Sequence, residues 1–175
     1  MMVAVARIMW TVAQAMHEPS TEAVTEIRTA IRTYRATGTR LHSTYHLVLL
    51  TQALAACGRY GEGLATVREA AALIEETGER MVEAEIRRLE GNLLLAENGW
   101  AEAEACYVKA LEVARAQEAR SLELRAATSL ARLWAERGRS AEARDLLAPV
   151  YGWFTEGFDT RDLREAKALL DTLVS

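Results

Sequence analysis

The sequence predicts an all-α fold, an α-α solenoid of stacked helical hairpins with about nine helices. Three observations predict it: side-chain size recurs every 40 residues, turn residues fall midway through and between those units, and each half-unit carries helical spacing. The first column holds Ala23, Gly63, Ala103 and Ala143. Four positions on lie Ile27, Val67, Tyr107 and Leu147, and seven on lie Ala30, Ala70, Ala110 and Val150. Twelve before it lie Thr11, Thr51, Gly91 and Ala131, and nine before it Gln14, Leu54, Leu94 and Trp134. Small residues thus recur with small ones, and large apolar ones mostly with large. Two antiparallel helices approach closely only where the side chains between them are small. Large neighbours then fill the gap to the next hairpin. One hairpin cannot bury its own apolar face, so the hairpins must stack.

The elements follow in order. Helices are expected over about 3–16, 20–36, 41–57, 60–76, 80–98, 100–117, 119–137, 140–155 and 160–174. Gly58, Asn98-Gly99 and Gly138 divide the units, and Gly38, Gly78 and Gly157 separate them. Ala103, Tyr107, Ala110, Leu111 and Ala114 follow i, i+4, i+7, i+8 spacing, and Ala, Leu, Glu and Arg dominate throughout. Ser20 and Ser140 are expected as N-caps, with Asp159 or Thr160 opening the last helix. Pro149 is expected to kink its helix near Asp145 to Pro149 and steer Tyr151, Trp153 and Phe154 into the last interface. Gly61 and Gly63 weaken the start of the fourth helix by roughly 1 kcal/mol each relative to Ala. The whole chain, 1–175, is expected to form one domain. Its repeats run over about 1–37, 38–77, 78–117 and 118–157, with a capping helix at 158–175.

Composition bounds the function. Net charge is −4 with a pI near 5.5. That argues against a broad electrostatic grip on nucleic acid or anionic lipid, which needs clustered positive charge. No apolar run reaches spanning length, so a membrane is not expected as a partner. Arg7 interrupts the apolar N-terminal stretch and no basic residue precedes it, so 1–16 reads as a packed helix, not a signal peptide. Cys57 and Cys106 stand in no metal-binding spacing and suit a reducing cytoplasm as buried, inert thiols. Lys109 and Lys167 are the only lysines against abundant Arg and Ala, the composition of a GC-rich bacterium.

The sequence carries no phosphate-cradling loop ending in Gly-Lys-Ser/Thr, no GxGxxG and no HExxH. His42 and His46, four apart on one helix face, have the spacing of a metal-binding pair, but no third ligand is evident. They read as ordinary packed or exposed histidines. No catalytic residue, metal or cofactor is expected, and the chain reads as a scaffold, not an enzyme.

The residues Gly91, Leu94, Trp100, Ala103, Tyr107 and Ala110 resemble the tetratricopeptide repeat. So do Ala131, Trp134, Gly138, Ala143 and Leu147, and Thr51, Leu54, Gly58, Tyr60, Gly63, Val67 and Ala70. The resemblance implies a right-handed superhelix. Standard units run about 34 residues, so this period implies longer helices; HEAT and armadillo units of about 40–47 residues are the alternative architecture. The stretches 121–134 and 141–160 are further similar to the C-terminal repeat region of large bacterial signalling proteins. Those join an adenylate/guanylate cyclase or DNA-binding domain to a STAND-type ATPase. This implies a sensor or regulatory arm in signal transduction, without the cyclase or ATPase motifs.

In such solenoids the first helix of each unit lines a concave groove. By register that groove holds Tyr45, Val48 and Gln52, then Glu85, Arg88 and Asn92, then Arg125, Thr128 and Arg132. Arg88, Asn92, Arg125 and Arg132 together have the chemistry to fork onto carboxylates. They resemble loosely the clamp by which some tetratricopeptide repeats hold peptide C-termini. A protein or peptide partner is therefore expected there. The alternative is self-assembly through residues 3–16, where Val5, Ile8, Met9, Trp10 and Val12 offer apolar surface to a second copy.

Overall fold

In a computed structural model, the structure describes residues 6, 9–13, 18–39 and 41–173. Among them there is no strand. Residues 9–13 are helical, and eight further helices follow. They are α1 (Thr21–Ala36), α2 (Ser43–Ala56), α3 (Tyr60–Thr77), α4 (Glu83–Ala96), α5 (Trp100–Ala116), α6 (Arg120–Glu136), α7 (Ser140–Gly152) and α8 (Arg161–Thr172). The fold is an α-α solenoid.

The turns impose the period. Left-handed backbone recurs at steps of 20 residues, at Gly38, Gly58, Gly78, Asn98, Glu118 and Gly138. After α2, α4, α5 and α6 the same bond closes the helix: the amides of Arg59, Gly99, Ala119 and Arg139 donate to the carbonyls of Leu54, Leu94, Ala114 and Trp134 at 2.8–2.9 Å. Each satisfies a carbonyl that the helix end leaves unpaired. At the second of these turns Asn98, not Gly99, takes the positive φ. Glu118 takes it with no glycine nearby, a position that sequence reasoning passed over.

Ser20 caps α1 as expected, its hydroxyl oxygen accepting from the Ala23 amide at 3.1 Å. Ser140 does not cap α7. The tight turn makes Arg139 the boundary residue and draws Ser140 into the first helical position. Arg139 serves the helix start differently, donating two hydrogen bonds to Glu142; Arg59 does the same for Glu62 at the start of α3. Glu62 also accepts from Arg28 on α1, and the two guanidiniums, Arg59 foremost, hold its carboxyl down at about 2. α7 ends at Gly152, one turn after Pro149, instead of continuing to 155. Proline removes the bond to the Asp145 carbonyl, and little helix survives beyond it. Tyr151 and Phe154 pack on the last core, but Trp153 stays exposed, with the Arg120 guanidinium 5.2 Å from its ring centre.

Each hairpin, α2–α3, α4–α5 and α6–α7, packs on itself and on the next inner helix. The small column does what its size predicts. A Cβ placed on Gly91 would fall 2.5 Å from the Tyr107 ring and 3.1 Å from the Ala103 carbonyl oxygen; one on Gly63 would fall 2.8 Å from Leu93. Ala103, Ala110, Ala131 and Ala143 are fully buried. Tyr107, Leu147, Leu130 and Leu124 fill the last core, Val67, Ile74, Ile86 and Leu93 the middle one, and Ile27, Ile31, Ala53 and Leu54 the first.

The two layers differ in one respect that shapes the molecule. Among the described residues the backbones of α2 and α4, of α4 and α6, and of α6 and α8 run close together, whereas those of α1, α3, α5 and α7 stand apart and are bridged by side chains such as Arg28 and Glu62. The inner row is closer than the outer row, so the stack bends with α2, α4, α6 and α8 on its concave side.

Candidate binding groove

Four consecutive inner helices open onto one cavity of about 430 Å³. Gln52, Ala55 and Ala56 come from α2, Arg88, Leu89 and Asn92 from α4, Thr128, Ser129 and Arg132 with Arg125 from α6, and Arg161, Asp162 and Glu165 from α8. A smaller extension of about 230 Å³ continues past Asn92, Ser129 and Arg132 to Tyr107 and Glu136. Of the nine groove residues read from the register, Gln52, Arg88, Asn92, Arg125, Thr128 and Arg132 line the cavity. Glu85 lies beneath it, 4% exposed. Tyr45 and Val48 lie elsewhere: Val48 is buried in the middle core and Tyr45 packs half-buried against the first and middle cores.

Glu85 organises the floor. Arg88 grips it with two bonds of 2.8 and 2.7 Å, Arg125 approaches at 3.0 Å and the Gln52 amide donates at 3.4 Å. One carboxylate thus ties together three successive inner helices. Arg88 and Arg125 are therefore committed inward, and the expected four-residue fork onto a ligand reduces to fewer groups. A buried carboxylate demands this pairing, because an isolated one carries a large desolvation cost. Arg88 has its remaining nitrogen 3.4 Å from the Ser129 hydroxyl, and Asn92 accepts from the Tyr107 hydroxyl at 2.8 Å. That bond occupies the Asn92 carbonyl oxygen and leaves its amide hydrogens for the cavity. Burial, above all, pushes the Tyr107 hydroxyl up to about 12, so it donates at every ordinary pH. Thr128 turns its hydroxyl to the Leu124 carbonyl and presents its methyl group.

Two clefts of about 540 and 580 Å³ lie between α1 and α3 on the outer side. They are larger, but their apolar floor of Ile31, Leu47 and Leu50 is already buried, and the Arg28–Glu62 and Arg35–Glu69 ion pairs bridge the walls at 2.8 Å. The inner cavity gathers polar groups from four helices, the arrangement that orients a ligand.

The remaining candidates separate. His42 is exposed in a left-handed turn and 3.8 Å from Glu79; His46 is buried. Among the described residues no three His, Cys, Asp or Glu side chains gather as a metal site. Both cysteines are half-buried; burial, first, and the nearby Glu90 push the Cys106 thiol up to about 11, so it stays protonated. Met9 and Trp10 are exposed, Trp10 to 68%, but Val12 points into the first core, which removes it from any outer patch. Val5 and Ile8 lie outside the described residues. Among those residues no helix is long and apolar enough to cross a membrane.

The comparison with solved structures decides the architecture. A Podosopora anserina protein described as a kinesin light chain with nearly identical TPR-like repeats superposes with a TM-score of 0.69 at 17% identity, over 96% of this chain and 83% of that one. A form of it carrying one substitution gives 0.71 with the same coverage. The chain has the TPR-like fold. BtubC from P. vanneervenii matches this TPR-like chain at a TM-score of 0.64 and 16% identity, over 98% of it and 87% of BtubC. No protein-family model and no curated protein sequence matches it.

Proposed function

We propose that this chain is a non-catalytic interaction scaffold whose concave wall holds a peptide or a segment of a partner protein. The carrying observation is the inner cavity, where α2, α4, α6 and α8 each place polar side chains around one space. Asn92, Ser129, Arg132 and Arg161 supply donors there, and Ala55, Ala56 and Leu89 supply apolar contact. The similarity of 121–160 to bacterial signalling ATPases supports the role of a cytoplasmic sensor or regulatory arm, in which the partner is a protein or the arm's own neighbouring domains.

The test must spare the floor. Arg88→Ala would take two hydrogen bonds from the buried Glu85, leaving it Arg125 and Gln52, and would cost stability, confusing binding with folding. Arg132 and Arg161 lie at the cavity surface and hold no buried partner. A displayed random-peptide library panned against the wild type is expected to yield binders that Arg132→Ala/Arg161→Ala weakens about tenfold or more, as two charge-assisted contacts are lost. Binders indifferent to both substitutions contradict the groove.

A further inference from the structure

Part of the inner cavity is filled by the chain's own carboxylates. α8 packs against α6 and α7 and brings Asp162 and Glu165 to the cavity wall. One Glu165 oxygen accepts from Arg161 Nε at 2.7 Å, and the other lies 4.0 Å from Arg132 Nη2. Asp162 lies 3.6 Å from Arg125 Nε. The same column one unit earlier holds Arg125 and two units earlier Glu85, so charge alternates along the inner wall from Glu85 to Arg125 to Glu165.

The two ends of this ladder differ in how firmly they hold. Glu85 is buried and gripped by three donors, and breaking a buried pair leaves a charge uncompensated. Glu165 has a side chain 42% exposed, and its partners Arg132 and Arg161 are 49% and 73% exposed. Solvent-exposed pairs contribute little and exchange readily. Arg161, foremost, and Arg132 hold the Glu165 carboxyl below the usual carboxylate range, so it stays ionised as an arriving acid would be. Other donors of the same cavity, the Asn92 amide and the Ser129 hydroxyl, are neutral.

We propose that Glu165 is a built-in competitor: it occupies the Arg132–Arg161 guanidinium pair that acidic side chains of a bound protein segment take, so the partner binds by displacing it. The proposal rests on the groove reading above and gives its partner a class, a segment rich in Asp or Glu. The committed floor, Glu85 with Arg88 and Arg125, keeps the wall in shape while the exchange occurs.

The test uses the full chain and a fluorescein-labelled oligo-glutamate, acetylated and amidated at its ends so that only side-chain carboxylates are offered. Fluorescence anisotropy is expected to show Glu165→Gln binding it about threefold tighter than wild type, the size an exposed ion pair allows. Glu165→Ala is expected to give the same gain, so the result does not hang on one variant's folding; thermal melting monitors both. Adding Arg132→Ala to Glu165→Gln is expected to abolish the gain. Equal or weaker binding by both Glu165 variants overturns the competitor, as does a gain that survives Arg132→Ala, or no binding by any of these proteins. Library binders that need Arg132 and Arg161 but are not tightened by the Glu165 variants leave the groove standing and remove the competitor alone. Library binders indifferent to both arginines remove the groove itself.

Discussion

His46, on α2, faces α1 with its Nδ1 buried and without a hydrogen-bond partner, its ring edge-on to Tyr34 at 4.6 Å. A buried polar atom left so costs free energy, and a charged one costs more. Burial, first, and then the neighbouring His42 and Arg35 hold its pKa below the ordinary 6.5, with Glu79 opposing. The unfolded chain therefore binds more protons than the folded one in the window below 6.5, and stability rises with pH through that window. The contribution is complete above 6.5 and drains away as pH falls toward the folded value, at no more than about 1.4 kcal/mol per pH unit. Urea unfolding at about pH 7.5 and about pH 5.5 checks it: the wild type is expected to lose more stability on acidification than His46→Phe, which keeps the ring packing. Equal losses contradict it. In the sequence His46 reads as an ordinary packed or exposed histidine because no third metal ligand is evident; its burial on a helix covered on nearly every side is a tertiary outcome that residue type does not announce.

The α4–α5 hairpin depends on the absence of one carbon atom. Gly91 lets the Tyr107 ring and the Ala103 carbonyl lie against the α4 backbone, and Tyr107 is itself held by Asn92. Gly91→Ala gains about 1 kcal/mol of helix propensity but forces an overpacked contact of about 1–3 kcal/mol, and the net effect is expected to be destabilising. Gly61, near the start of α3, has open space around its Cβ position. Gly61→Ala is expected to stabilise by about 0.5–1 kcal/mol. Chemical denaturation of both variants checks the contrast, and a Gly91→Ala protein as stable as Gly61→Ala contradicts it. The helices themselves were legible because turn residues stand 20 apart and small columns 40 apart. The misses have local causes. Ser140 looked like a cap, but its turn is too short to keep it outside the helix. Glu118 carries a left-handed backbone that a glycine would have announced. In the groove, register placed Gln52, Asn92, Arg125 and Arg132, since side-chain direction repeats with the helix. It could not show that Arg88 and Arg125 are already neutralised, because that depends on Glu85 sinking between three helices. Tyr45 departs from the column because α2 has packed neighbours where later inner helices have an open face.

Across the whole molecule, curvature follows from layers of unequal closeness. Inner helices touch in sequence and share Glu85; outer helices are joined by side chains alone, as where Arg139 reaches from the start of α7 to Glu104 on α5 at 2.8 Å. A wall built this way offers its polar groups in rows across successive repeats, which suits an extended chain segment. Hydrogen exchange on the protein with and without a library-selected peptide tests this most directly. The account predicts slowed exchange confined to the cavity-facing turns of α2, α4, α6 and α8, around Gln52–Ala56, Arg88–Asn92, Arg125–Arg132 and Arg161–Glu165. Protection on α1 and α3, with the inner helices unchanged, would contradict it.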